Sequence, residues 1–181
     1  MENLIGKAYA ELLGNSEQDR LTKFRANWEI YEGHGHKPLK VEQGAADDNL
    51  RVNYARVVVD KGVAFLFGKE VKFELKEGEQ TVAEEWLAAA WQANRKMSTL
   101  QKIAVNGAVC GTAFVKIHFV PGMAFPRLIV CDPETVSVTL AADDIDEVLG
   151  YIIRYPVHDP VTKKVITICQ EMKRDGQRWL I

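Results

Sequence analysis

Apolar side chains recur at spacings of three and four through the first half of the chain. Residues 3–13 predict a short helix that ends at Gly14, and Ser16 with Asp19 then predicts the start of a second. This second helix ends at Gly33, and its apolar stripe consists of Leu21, Phe24, Trp28 and Tyr31. The pattern therefore predicts two N-terminal helices.

Residues 33–49 (GHGHKPLKVEQGAADDN) carry glycine and proline but no sustained period. This composition predicts a long loop. A loop of this length is uncommon in a compact domain, so we expect it to have a function or to become ordered against a partner.

The segment from about Leu50 to Phe67 predicts the most apolar helix of the chain. One stripe consists of Val52, Ala55, Val59, Val63 and Leu66, and Val58 and Phe65 widen it. A helix that is apolar over most of its circumference must be covered from several directions. Gly68 is expected to end the helix in the left-handed conformation.

Between residues 70 and 111 the pattern predicts one strand and two more helices. EVKFELK (70–76) alternates as a half-exposed strand does. Thr81 and Glu84 form a capping box for a helix to about Asn94, with Val82, Trp86, Ala90 and Ala93 facing inward. Ser98 and Gln101 start the next helix, which ends at Gly111 and contains the small residues Ala104, Gly107 and Ala108. Gly107 is expected to permit close packing.

After Gly111 the period changes to alternation, which is typical of strands. The segments 112–120, 127–131, 136–140, 148–157, 165–173 and 177–181 alternate and are separated by turns, including an acidic one at 143–147. We therefore predict an α+β fold in which a helical N-terminal half packs on a mainly antiparallel β meander. Residues 1–181 are expected to form a single region, mostly helical over 1–111 and β-rich over 112–181.

Composition excludes several classes of protein. Lys+Arg is 23 against Asp+Glu 25, so the net charge of -2 gives no basic excess of the kind that binds phosphates. The N-terminus does not resemble a signal peptide, and no apolar run is long enough to span a membrane, which predicts a soluble intracellular protein. Cys110, Cys131 and Cys169 are too far apart in sequence for a zinc or redox motif and are interpreted as small buried residues.

Few residues suggest chemistry. His34 and His36 could contribute to a zinc site, but such a site needs a third ligand, so we favour solvated loop histidines. No phosphate-binding glycine loop and no nucleophile elbow is present. We predict no catalytic, cofactor-binding or metal-binding residues and no enzyme activity. The tryptophans are expected to serve packing: Trp28 and Trp86 face the core, and Trp91, on the helix surface, is a candidate subunit contact.

Four stretches together resemble the N-terminal wing region of tailed-bacteriophage portal proteins. The first two carry a helix ending in F-x-G-x-x-V and a helix ending in G-x-x-G-x-A-F-V, and the last two carry a P-E-x-V step and an I-R-Y strand. They are NLRVNYARVVVDKGVAFLFGKEVKFEL (49–75), WQANRKMSTLQKIAVNGAVCGTAFVKIHF (91–119), RLIVCDPETVSVTL (127–140) and EVLGYIIRYPV (147–157).

The resemblance implies a structural subunit of a ring, commonly of twelve copies, at one vertex of the capsid. Double-stranded DNA passes through such a ring without sequence-specific contacts, driven by a terminase, and the capsid and head–tail connector proteins dock to it. The implied location is the virion, after assembly in the cytoplasm of the host bacterium. The apolar end of the chain at Trp179–Ile181 further suggests a piece of a longer subunit.

Two other interpretations remain open from the sequence. The chain could be a free-standing α+β binding module that recognises a partner through the 33–49 loop. It could also be a metal-dependent hydrolase that uses His34 and His36, in which case the purified protein would contain stoichiometric metal.

Overall fold

A computed structural model describes residues 2–35, 40, 44, 52–75, 82–144, 146–176 and 178–180, with side chains from residue 17 onward. The elements follow the predicted order, helices first and strands second. They are α1 (Glu2–Glu32), α2 (Tyr54–Leu66), α3 (Val82–Ala93), α4 (Met97–Cys110), β1 (Phe114–His118), β2 (Arg127–Cys131), a short 3-10 helix (Pro133–Thr135), β3 (Val136–Leu140), β4 (Val148–His158), β5 (Val165–Asp175) and β6 (Arg178–Leu180). The fold is α+β, as predicted.

The chain divides into two compact units. One unit consists of Met1–Asp19 and Cys131–Ile181, and the other of Arg20–Val130. The first contains the four-stranded sheet, and the second contains α2, α3 and α4 together with β1 and most of β2.

The sheet of the first unit is an antiparallel meander in the order β3-β4-β5-β6. The register pairs Val136 with Ile153 and Tyr151 with Met172, so these side chains share one face. Val136 is 2% exposed and Ile153 is 6% exposed. The predicted meander is confirmed, and its alternation separates a buried apolar face from a more exposed one.

The N-terminal helix differs from the prediction. Residues Glu2–Glu32 form one continuous helix, so Gly14 and Ser16 do not separate two. A glycine in a helix interior costs only about 1 kcal/mol relative to alanine, which a long helix can absorb. Gly33 follows the helix with a φ of 87°, and its predicted role as the stop is confirmed.

The predicted strand at 70–76 does not form within the part that the structure describes, which ends at Leu75. Residues 70–74 run without regular secondary structure. The Leu75 backbone N–H donates to the Glu84 carboxylate at 2.6 Å instead of to another strand. Glu84 is therefore a buried acceptor for this segment, while Thr81, the other half of the predicted capping box, lies outside the described residues.

The junction between α3 and α4 is held by the buried Asn94. Its Nδ2 donates to the carbonyl oxygens of Ala90 and Pro126, both at 2.9 Å, and its Oδ1 accepts from the Leu128 N–H at 2.7 Å. The Pro126 carbonyl and the Leu128 N–H point to the same edge of the chain, so the amide replaces a neighbouring strand there. One side chain thus joins the helix junction to the start of β2.

Candidate subunit interface

The corner between α1 and α2 is clamped by Asn53. Its Oδ1 accepts from the Arg56 backbone N–H at 3.0 Å and so caps the start of α2. Its Nδ2 donates to the carbonyl oxygens of Ile30 and Tyr31, at 3.1 and 2.7 Å, at the end of α1. One amide thus bonds backbone groups at two helix ends, although the Ile30 carbonyl also accepts from the Gly33 N–H at 3.1 Å. This sets the direction in which α2 leaves the corner.

A polar cluster next to this corner links the same two helices. The Tyr31 hydroxyl donates to Asp60 Oδ1 at 2.8 Å, and the Arg56 guanidinium lies 3.4 Å from Asp60 Oδ2 and 5.6 Å from the centre of the Tyr31 ring. Partial burial raises the pKa of Tyr31, and the hydrogen bond to Asp60 and the charge of that carboxylate raise it further, whereas Arg56 lowers it. The cluster occupies the polar side of α2 and fixes the rotation of the helix.

The inner side of α2 rests on α4. Val63 is the buried residue of α2, at 8% exposed, and Val59 is half-buried. These residues belong to the predicted apolar stripe, but Val52, Ala55 and Leu66 of the same stripe are exposed. Among the described residues of α2, those that the chain covers lie on one narrow side of the helix.

The opposite side of α2 carries three large apolar side chains, which we name the outer stripe: Tyr54, Val58 and Phe65. At 100° per residue they lie within about 40° of one another around the helix. They are 72%, 71% and 90% exposed, respectively. The exposed Lys61 lies on the same side, between Val58 and Phe65. A second stripe at spacings of four and seven was visible in the sequence, but only Val58 and Phe65 were predicted to widen the apolar surface, and Tyr54 was missed.

Two glycines in and after α2, Gly62 and Gly68, differ in the space that surrounds them. A Cβ at Gly62, on the flank of the outer stripe, would meet no atom within 4 Å, so the helix is notched there and open to a neighbour. A Cβ at Gly68 would lie 2.7 Å from the Ala64 carbonyl oxygen. Gly68 is not left-handed, so its predicted role as a φ-positive stop is wrong. It is required because the chain passes close to its own backbone.

Gly107 was predicted to permit close packing, but a Cβ added there would meet no atom within 4 Å. The prediction that its missing side chain permits tight packing is wrong for contacts within the chain. Gly111 has a φ of 74° and ends α4, as predicted.

The burial of the two tryptophans of α3 is the reverse of the prediction. Trp86 was expected in the core, but it is 47% exposed and lies 5.6 Å from the Phe125 ring. Trp91 was expected on the surface, but it is half-buried, edge-on to Phe73 at 5.5 Å, and its indole nitrogen is buried without a hydrogen-bond partner. Val82 is also exposed, whereas Glu84, Ala90 and Asn94 are buried. Glu84 accepts from the Leu75 N–H, and Asn94 bonds to the start of β2.

The histidines do not converge in the part of the chain that the structure describes. His34 is exposed and lies 3.5 Å from Glu32, and His118 and His158 are exposed in other elements. His36 lies outside the described residues, as does most of the 33–49 loop. Among the described residues, no group of three or more His, Cys, Asp or Glu side chains could hold a metal ion.

The cysteines differ from one another in burial. Cys131 is buried and Cys110 is half-buried, but Cys169 on β5 is exposed, so its predicted burial is wrong. Cys169 lies on the outward face of the sheet, opposite Arg154. None of the helices, over the residues that the structure describes, is long and apolar enough to cross a bilayer.

A helix held by a polar clamp on one side and left apolar on the other suits a structural subunit that assembles with further chains. Residues 11–171 match the family described as "Phage portal protein, SPP1 Gp6-like", and the chain belongs to that family. The family has a structural, portal-type role and is a virion component. No curated protein matches the chain.

Proposed function

We propose that this chain is the wing region of a portal ring subunit and that the outer stripe of α2 packs against the next subunit. The ring, commonly of twelve copies, occupies one capsid vertex. Double-stranded DNA passes through it during packaging and ejection, and the terminase, the capsid and the head–tail connector dock to it. Assembly takes place in the cytoplasm of the host bacterium.

The observation that carries the proposal is the exposure of the outer stripe together with the family match. Isolated exposed apolar side chains are ordinary, but Tyr54, Val58 and Phe65 share one side of a single helix, with Lys61 between the last two. Cyclic rings use heterologous contacts, in which one patch meets a different patch of the neighbour. A helix that is buried on one side by its own chain and on the other by a neighbour explains why α2 is apolar nearly all round.

The net charge of the chain supports a channel through which DNA passes rather than a protein that binds DNA tightly. A protein that holds DNA through phosphates needs a basic excess, and the net charge here is -2. We also propose that the chain has no catalytic activity. The polar side chains at the helix corners and junctions, such as Asn53 and Asn94, form hydrogen bonds with the backbone that hold the fold together.

The test is assembly of the complete gene product that contains this chain, measured by sedimentation velocity and electron microscopy. Val58→Asp and Phe65→Asp should leave the circular dichroism spectrum unchanged and abolish rings, because a buried unpaired carboxylate costs several kcal/mol at each interface. Val82→Asp is the matched control, because Val82 is equally exposed but lies on α3. It should assemble as the wild type does.

Two different failures are distinguishable. Rings of Phe65→Asp with wild-type yield would show that the outer stripe is not the contact. A wild-type product that stays monomeric at high concentration would contradict the ring itself.

A further inference from the structure

The segment from Glu70 to Leu75 is held at both ends but left open in the middle. Lys96 Nζ lies 2.9 Å from Glu70 Oε1, and the Leu75 N–H donates to Glu84 at 2.6 Å. Between them, Phe73 packs edge-on against Trp91 at 5.5 Å. The segment is therefore pre-organised against α3 without belonging to a sheet.

The backbone between these anchors has no main-chain partner among the described residues. Within the described residues, no main-chain hydrogen bond joins Val71, Lys72, Phe73 or Glu74 to another backbone group. Alternate residues of an extended chain direct their N–H and C=O groups to opposite edges. Because the Leu75 N–H is directed at Glu84, the groups of Lys72 and Glu74 form the free edge in an extended chain. Such an edge is a template for a further strand.

The side chains of this edge complement themselves. When the segment pairs antiparallel with its own copy and Phe73 lies opposite Phe73, Lys72 lies opposite Glu74 and Val71 opposite Leu75. Each Lys72 then meets a carboxylate of the other chain, and the apolar residues meet apolar residues. Lys72 and Glu74 are both exposed, and Leu75 is 59% exposed.

We propose that two copies of this chain associate through antiparallel pairing of residues 71–75, centred on Phe73. Lys72 of one copy and Glu74 of the other exchange both backbone hydrogen bonds and form a cross-strand ion pair, and the two-fold axis repeats this contact. The contact is isologous, so it joins chains in pairs and does not close a ring. It is independent of the outer stripe.

The first test uses charge reversal in the 181-residue chain, with dimer dissociation followed by sedimentation equilibrium. Lys72→Glu or Glu74→Lys alone places like charges opposite each other twice per dimer and should weaken association roughly tenfold. The double variant Lys72→Glu/Glu74→Lys restores opposite charges and should restore the affinity. Lys69→Glu, an exposed neighbour outside the pairing, is the control. Equal affinities for all four variants would overturn the proposal.

The second test reports the register itself. In a Cys169→Ser background, one preparation carries Lys72→Cys and another Glu74→Cys. Directly opposed residues have Cα atoms about 5.5 Å apart, within disulfide range, whereas two copies of residue 72 lie about 8 Å apart. A mixture of the two preparations should form a disulfide-linked dimer under mild oxidation, and neither preparation should do so alone. Cross-linking that is equal in the separate and mixed samples, or absent from the mixture, would overturn the proposal.

Loss of the strand dimer and loss of the ring have different signatures. Phe65→Asp should leave the 72–74 cross-link intact, and Lys72→Glu should leave ring formation by the complete gene product intact.

Discussion

The sheet of the first unit and helix α2 of the second differ in how much of their apolar surface the chain itself covers. In the sheet, alternation sends Val136 and Ile153 into the interior, and the chain itself covers them. In α2, Val63 is covered in the same way, but Val58 and Phe65 remain open to solvent. The sheet also exposes apolar side chains, such as Val165 at 58%, but the exposure in α2 is greater, at 71% for Val58 and 90% for Phe65. Under the proposed function, this exposed part of α2 is the surface that packs against the next subunit.

The largest expected effect is a difference in stability between the two regions. Ile153→Ala truncates a buried side chain and should lower the free energy of unfolding by about 3 kcal/mol. Phe65→Ala should change it by less than about 0.5 kcal/mol, because that side chain has few neighbours to lose. Urea denaturation of the unassembled chain measures both. Similar losses for the two variants would mean that the chain itself covers the outer stripe.

Loss of the Asn53 clamp should have the next largest effect on the free energy of unfolding. Asn53→Ala removes the cap of α2 and both bonds to the end of α1, and should cost about 2 kcal/mol. Asn53→Ser keeps an oxygen that can cap but lacks the amide donors, so about half of that loss is expected. Thermal or urea unfolding checks the order, and a serine variant as unstable as the alanine variant would assign the whole effect to the α1 side.

Alanine substitutions of Gly62, within α2, and Gly68, just after it, should change the stability of the chain in opposite directions. Gly68→Ala brings a Cβ against the Ala64 carbonyl and should destabilise the chain by about 1–2 kcal/mol. Gly62→Ala meets open space in a helix interior and should stabilise the unassembled chain by up to about 1 kcal/mol. The same Gly62→Ala change fills the notch beside the outer stripe and should weaken ring assembly. A variant that is both more stable and better assembled would contradict a close contact at Gly62.

The smallest effect concerns the polar side of α2. The folded chain holds the Tyr31 proton more tightly than the unfolded chain, because burial and then Asp60 raise the pKa of the hydroxyl. This contribution to stability is complete below the ordinary tyrosine pKa of about 10 and is lost as the pH rises through the higher folded value. Wild type should therefore lose slightly more stability between pH 9 and 11 than Tyr31→Phe. Parallel pH profiles would show that the hydroxyl is not coupled to folding.

The helical first half, the strand-rich second half, the meander and the stops at Gly33 and Gly111 followed from the sequence alone. Each depends on local periodicity or on a backbone conformation that favours glycine, and neighbouring residues determine both. The family resemblance rested on the same local features, and residues 11–171 match that family.

Only the tertiary structure decided which side of a helix is covered and whether an alternating segment finds a partner. Trp86 and Trp91 lie on one helix and have the same side chain, yet Trp91, against which Phe73 packs, is the more buried of the two. Residues 70–75 alternate as well as any strand of the meander, but a strand also needs a second strand beside it, and the described chain places a glutamate and a tryptophan there instead. Periodicity shows which secondary structure one segment can form. Burial and strand pairing depend on which other residues, of the same molecule or of a second one, lie against that segment.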